Sequence, residues 1–170
     1  SWLYAQTQQS RGRFDKDQGY VCTFSALILK QNRAHIFHTG DSRIYRIQAQ
    51  AIEQLTADHR FFLSWTEHYL SRALGADHRI DVDYQQLELC EDDLFILMTD
   101  GVYEFMEMQL ISEMLQQKQH LDIIARSIIE LALKRGSDDN LTIQIIKVEQ
   151  LPEEESFHIK SHVLFPQQLS

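Results

Sequence analysis

Three stretches of this chain bring a carboxylate to the end of an apolar or extended run, next to a small residue. They are FHTGDSR at residues 37–43, FILMTDGVYEF at residues 95–105 and RGSDDNLT at residues 135–142. Glycine lets the backbone turn sharply at a strand end, so Gly40 before Asp41 and Gly101 after Asp100 free the acids to reach inward. Asp139 follows Gly136, Ser137 and Asp138 in the third stretch. Acids that converge repel one another. A hard divalent cation removes that cost and prefers oxygen ligands. Such ions can clamp a phosphate and turn a bound water into a nucleophile. Asp41, Asp100 and Asp139 are therefore the candidate metal ligands. The same residue types also cap helices and close turns, and Asp138 has the look of a surface turn acid. The pattern alone leaves both readings open.

The neighbouring residues give weaker signals. Arg43 stands two residues after Asp41, placed to bind phosphate or to brace that acid. His35 and His38 match no metal motif and suit the faces of a strand. His59 follows Asp58 as a candidate orienting residue. Ser25, Ser42 and Ser137 lack a paired base at a suggestive spacing, and no glycine-rich phosphate loop or kinase-type catalytic loop occurs.

The elements that must position the acids follow from hydrophobic period. Residues 20–29 predict a buried strand, 33–38 a second that alternates Ala34, Ile36 and His38 against His35 and Phe37, and 43–47 a third. Lys30, Gln31 and Asn32 predict a turn. A turn at residues 55–59 leads into a predicted short helix through Trp65 and Tyr69, stopped at Gly75. Residues 81–89 predict a partly exposed strand. Glu91, Asp92 and Asp93 form an acidic turn into the central strand at 95–98. Residues 107–135 predict helix, bent near 118–120, with its better stripe at Leu121, Ile124, Ala125, Ile128, Ile129 and Ala132. Gly136 suits a helix stop. Residues 141–148 predict the last strand. Trp2, Leu3 and Ala5 suit a core-facing helical turn. Residues 150–170 carry a proline and an acid run, and are expected to be a linker or tail. Strands followed by long helices and a strand argue for α+β layers.

A chain of 170 residues has room for one domain with a real core. Its net charge of −9, from 25 acids against 16 bases, opposes nucleic-acid binding. It suits both a cation site and an ordinary soluble surface. Cys22 and Cys90 are expected to be buried thiols in a reducing compartment. No membrane-spanning stretch and no leader is visible, so the expected location is cytoplasmic, with no membrane partner.

HTGDSRIYRI (38–47), LTADHR (55–60), SRALGAD (71–77), EDDLFILMTDGVYEF (91–105) and GSDDNLTIQIIKVE (136–149) occur in the order found in the metal-dependent protein phosphatases of the 2C type, and the chain resembles that family over about residues 19–149. The resemblance implies an α-β-β-α sandwich of four layers, N-terminally incomplete, with residues 1–149 as a partial catalytic domain. It implies hydrolysis of phosphoserine and phosphothreonine in proteins with Mn²⁺ or Mg²⁺, a metal-bridging water attacking phosphorus directly. Asp100 matches a ligand of the first metal site, Asp139 another, and Asp41 a ligand of a third, more weakly held metal. Asn140 matches a residue that supports the loop.

Two family motifs have no match. One carries a phosphate-binding arginine and an acidic pair. The other is an Asp-Gly-His-Gly stretch that bridges the catalytic metals. The short segment at residues 58–74 stands where many members carry a flap. The expectation is therefore a catalytic-domain fragment, weak or inactive by itself, with a phosphorylated protein as substrate. A missing N-terminal segment of the same polypeptide and a C-terminal kinase-like domain are the other expected partners. The alternative is a non-catalytic regulatory or interaction module that keeps the fold.

Overall fold

The computed structural model describes residues 2–3, 5–6, 20–49, 51–62, 68–117 and 119–152. Nine strands lie among them: β1 (Phe24–Lys30), β2 (Arg33–Thr39), β3 (Arg43–Gln48), β4 (Ala51–Gln54), β5 (Arg60–Phe62), β6 (His68–Leu70), β7 (Asp83–Glu88), β8 (Leu94–Met98) and β9 (Ile143–Lys147). Three helices join them: α1 (Asp100–Tyr103), α2 (Met108–Leu115) and α3 (Leu121–Lys134). The strands form a three-stranded sheet, β1-β2-β7, a four-stranded sheet, β4-β3-β8-β9, and a hairpin, β5-β6. Every pairing is antiparallel.

The alternation along β8 decides the layering. Ile96 and Met98 point to one face, where they pack with Val102, Ile111, Ile124, Ile128 and Ala132. Phe95 points to the other face, where it meets Ala34 of β2, with Leu27 of β1 and Leu87 of β7 alongside. The four-stranded sheet is thus covered on one side by helices and on the other by the second sheet, as the period-two pattern of a doubly covered strand requires. Among the described residues this makes three layers. No described helix is long and apolar enough to cross a membrane.

Most predicted elements form where expected. Gln31 and Asn32 take positive φ, 50° and 58°, in the two-residue turn that joins β1 to β2. Ala34, Ile36 and His38 are buried on one face of β2. The helical stretch breaks between Leu115 and Leu121, and Gly136 follows α3 with φ of +99°.

Four expectations are corrected. The stretch through Tyr69 is not a helix where it is described. It runs as strands β5 and β6, because the His59 N–H donates to the Gly40 carbonyl and the Ser71 N–H to the His59 carbonyl. Those bonds hold the backbone extended, so Gly75 ends no helix. Trp65 lies outside the described residues. The first strand is not buried: β1 is an edge strand, and Phe24, Ile28 and Leu29 are exposed, Ile28 by 50%. Both cysteines are exposed, since each sits outside the strands, before β1 and before β8. Residues 2–3 and 5–6 are helical as expected, but Trp2 and Ala5 are exposed and face no core. The tail beyond residue 152 lies outside the described residues.

Candidate metal centre

One row of the register places all three sequence-selected acids at the same end of the four-stranded sheet. Arg43, at the start of β3, pairs with Met98, at the end of β8. Met98 pairs with Ile143, at the start of β9. Asp41 lies two residues before that row, Asp100 two residues after it, and Asp139 four residues before Ile143. The antiparallel order turns three distant stretches into adjacent strand ends.

The loops are tied down individually. The Thr99 hydroxyl donates to the Asn140 carbonyl at 3.1 Å and accepts the Thr142 N–H at 3.0 Å. The Ser137 hydroxyl donates to the Gly101 carbonyl at 2.8 Å. Gly101 is required here: a Cβ on it would lie 2.8 Å from the Asn140 carbonyl oxygen and 3.3 Å from the Asp139 Cβ. Asp100 and Asp139 therefore adjoin. Gly40 has φ of +117°, and a Cβ there would meet the Thr23 side chain at 2.5 Å. That close approach sets the turn that delivers Asp41.

The segment Asp58-His59-Arg60 clamps this turn residue by residue. Asp58 accepts from Arg43 Nε at 2.9 Å and from Nη2 at 2.7 Å. His59 Nδ1 accepts the Gly40 N–H at 3.1 Å, so its Nε2–H faces Asp83 at 2.9 Å. Arg60 reaches the acids themselves: Nε donates to Asp41 Oδ2 at 2.7 Å, Nη2 to Asp100 Oδ2 at 3.0 Å and Nη1 to Glu104 Oε1 at 2.7 Å. Arg43 is a brace, but its carboxylate is Asp58 and not Asp41. It lies 3.7 Å over the Tyr103 ring, whose hydroxyl donates to the Asp41 carbonyl at 3.0 Å. His59 holds the turn before Asp41, through Gly40. Arg60, Glu104, Asp58 and Tyr103 were not legible from spacing. A signal for Arg60 existed in principle: clustered acids need a counter-charge, and LTADHR supplies one.

The charge is not balanced. Burial, then the nearby Asp41 and, more weakly, Asp139, raise the Asp100 carboxyl above its ordinary value despite the Gly101 N–H and Arg60. Burial opposes the charge on Arg60, and its bonds to Glu104 and Asp41 more than restore it, so the guanidinium stays charged. The donors are hard carboxylate oxygens with no thiolate among them, the chemistry of an Mn²⁺ or Mg²⁺ site. Among the described residues no three such groups already surround one point. The donor chemistry and the surplus negative charge fit a divalent ion. Arg60, however, holds one oxygen each of Asp41 and Asp100.

Behind the site, His38 is 1% exposed. Its Nε2–H donates to the Ala57 carbonyl at 3.1 Å, and Nδ1 accepts from the Ser25 hydroxyl at 2.8 Å. Burial, then the His59 ring, tilted with its centroid 5.0 Å away, lowers its pKa below 6.5. The unfolded chain then takes up a proton that the fold refuses. Stability is full above the ordinary histidine pKa and declines as pH falls from there through the depressed folded value. His38→Gln is expected to flatten the fall in melting temperature between pH 7 and 5, removing up to about 1.4 kcal/mol per pH unit. Thermal denaturation across that range checks it; equal slopes would assign the fall to another group.

The fold matches bacterial serine/threonine phosphatases. The catalytic domain of a serine/threonine protein phosphatase PstP, solved in complex with two manganese ions, superposes with a TM-score of 0.72 at 27% identity, over 87% of this chain and 67% of that one. Another bacterial serine phosphatase superposes at 0.75 with 20% identity, which speaks for the fold alone. The family model for protein phosphatase 2C matches residues 2–144, and the chain belongs to that family of metal-dependent phosphatases. Among curated relatives, the serine/threonine phosphatase stp of Listeria monocytogenes is 26% identical over 160 residues, 85% of this chain and 61% of its own length. The Mycobacterium tuberculosis PstP is 27% identical over 77% of this chain and 28% of its own length. The chain thus spans about 61% of the Listeria relative that it matches.

Proposed function

We propose that this chain carries part of a phosphoprotein phosphatase centre, with Asp100, Asp139 and Asp41 as carboxylate ligands for Mn²⁺ or Mg²⁺ and phosphoserine or phosphothreonine in a protein as substrate. The observation that carries the reading is the common strand-end row, which brings the three acids to one end of the sheet, with Asp100 part-buried near Asp41 and Asp139. A divalent ion held there supplies a Lewis acid for the phosphoryl oxygens and an activated water. The chain's own residues hold the ligands in place: Thr99 and Ser137 fix the Asp100 and Asp139 loops, and His59 and Gly40 aim Asp41.

The centre is shared with residues beyond those matched here. The sequence has no Asp-Gly-His-Gly stretch, and its relatives are longer. The solvent-facing side of the three-stranded sheet, with Phe24, Ile28 and Tyr84 exposed, is the face a fourth, helical layer would cover. Turnover by the 170-residue chain alone is accordingly weak. Titrating the chain with Mn²⁺ in a calorimeter, alongside hydrolysis of a phosphothreonine peptide, tests the reading. The expected result is a Mn²⁺ site that Asp139→Asn weakens by about tenfold or more, with little turnover. Absence of Mn²⁺ binding would favour the non-catalytic module, and fast turnover would overturn the shared centre.

A further inference from the structure

Arg60 is not a metal ligand by type, yet it touches more of the acid cluster than any other side chain among the described residues. Its guanidinium is 6% exposed, and each of its three nitrogens donates to a different carboxylate: Asp41, Asp100 and Glu104. Asp41 comes from the turn before β3, Asp100 is the first residue of α1, and Glu104 follows its last. One planar cation thereby joins two elements of the site.

We propose that Arg60 is the resident counter-cation of this cluster: it holds Asp41 and Asp100 together in the metal-free protein, and a divalent ion binding their Oδ2 atoms must displace it. The inference rests on the metal-site reading above. It follows from geometry and charge. Arg60 nitrogens lie 2.7 and 3.0 Å from the two Oδ2 atoms, while a Mn²⁺- or Mg²⁺-sized ion binds carboxylate oxygen at about 2.1 Å. A doubly charged ion and a guanidinium cannot both use the inward side of those oxygens without direct repulsion. Glu104 gives the fork an exit. Its side chain is 42% exposed against 12% for Asp41, so Nη1 can keep that partner while Nε and Nη2 swing out. Arg60 thus weakens metal binding and supports the metal-free fold at once, and its removal separates the two effects.

The test compares the 170-residue chain with Arg60→Gln and Arg60→Lys, measuring Mn²⁺ affinity by calorimetry and the melting temperature without metal. Arg60→Gln is expected to bind Mn²⁺ about tenfold more tightly while melting lower when metal-free. Arg60→Lys keeps a cation and stays nearer the parent on both. An unchanged or weaker Mn²⁺ affinity in Arg60→Gln, with the parent binding normally, overturns the proposal alone. Absence of binding in both overturns it together with the metal-site reading. A folding failure in Arg60→Gln is met by a second measurement on the parent chain. The Arg60 Nε–H proton resonance, assigned by its loss in Arg60→Lys, is followed during Mg²⁺ titration. A shift that saturates with ion binding supports displacement, and a resonance that stays fixed while Mg²⁺ binds overturns it.

Discussion

Asp100→Asn is expected to remove the stabilisation that Mn²⁺ gives this chain. A ligand that binds only the folded state stabilises it by about 2.7 kcal/mol at a hundredfold excess over its dissociation constant. For a chain of this size that corresponds to a rise in melting temperature of roughly 5–10 °C. Asp100 sits where the case for an ion is strongest. It lies beside Asp139 across Gly101 and shares Arg60 with Asp41. Its carboxyl holds its proton unusually well because burial and the neighbouring acids disfavour the charge. An amide keeps the shape of the side chain and an acceptor for Arg60, but loses the charge that a hard cation needs. Differential scanning fluorimetry with and without Mn²⁺ reads the effect. A full Mn²⁺ shift in Asp100→Asn would remove Asp100 from the ligand set.

The largest effect on stability is expected at Asp93, far from the acid cluster. This residue is wholly buried at the turn into β8. Its Oδ2 accepts from Arg46 Nη2 at 2.5 Å and from the Cys90 N–H at 2.8 Å. Arg46 is itself only 12% exposed, and its charge is secured first by that bond to Asp93. Removing one member strands the other charge in the interior, which costs about 3–5 kcal/mol. Asp93→Ala is therefore expected to lower the melting temperature by roughly 10 °C. The pair is not optimal as it stands, since among the described residues Asp93 Oδ1 and Arg46 Nε have no hydrogen-bond partner. Replacing both, as Asp93→Leu with Arg46→Met, is expected to recover most of the loss. Urea denaturation of the two variants checks the contrast. Equal destabilisation in both would mean that the ion pair is net favourable.

These two acids show where sequence reasoning reaches and where it stops. Asp100 stood out because its surroundings in the chain are distinctive: an apolar run, threonine, acid, glycine. Asp93 belongs to an equally visible run, Glu91-Asp92-Asp93, which reads as an acidic turn. Two of the three are solvated: Glu91 and Asp92 are exposed. Only the packing of β3 against β8, which brings Arg46 opposite Phe95, draws Asp93 inward.

The sequence by itself determined the strands and helices whose period is clean, the turns carried by Gly40 and Gly136, and the family, and it singled out the three acids as candidates. Those signals are local, since period and turn chemistry depend on residues a few positions apart. The tertiary structure decided the rest. It turned the residues after His59 into strands, because backbone bonds to Gly40 and Ser71 outweigh helical spacing. Among the described residues it left β1 at a sheet edge, since strand order is set by pairing between distant segments. It also put Arg60 among Asp41, Asp100 and Glu104, residues 19 to 44 positions away. That acids need a counter-charge is legible in the chain, but which acids Arg60 meets is not, because only the fold brings them together over that distance.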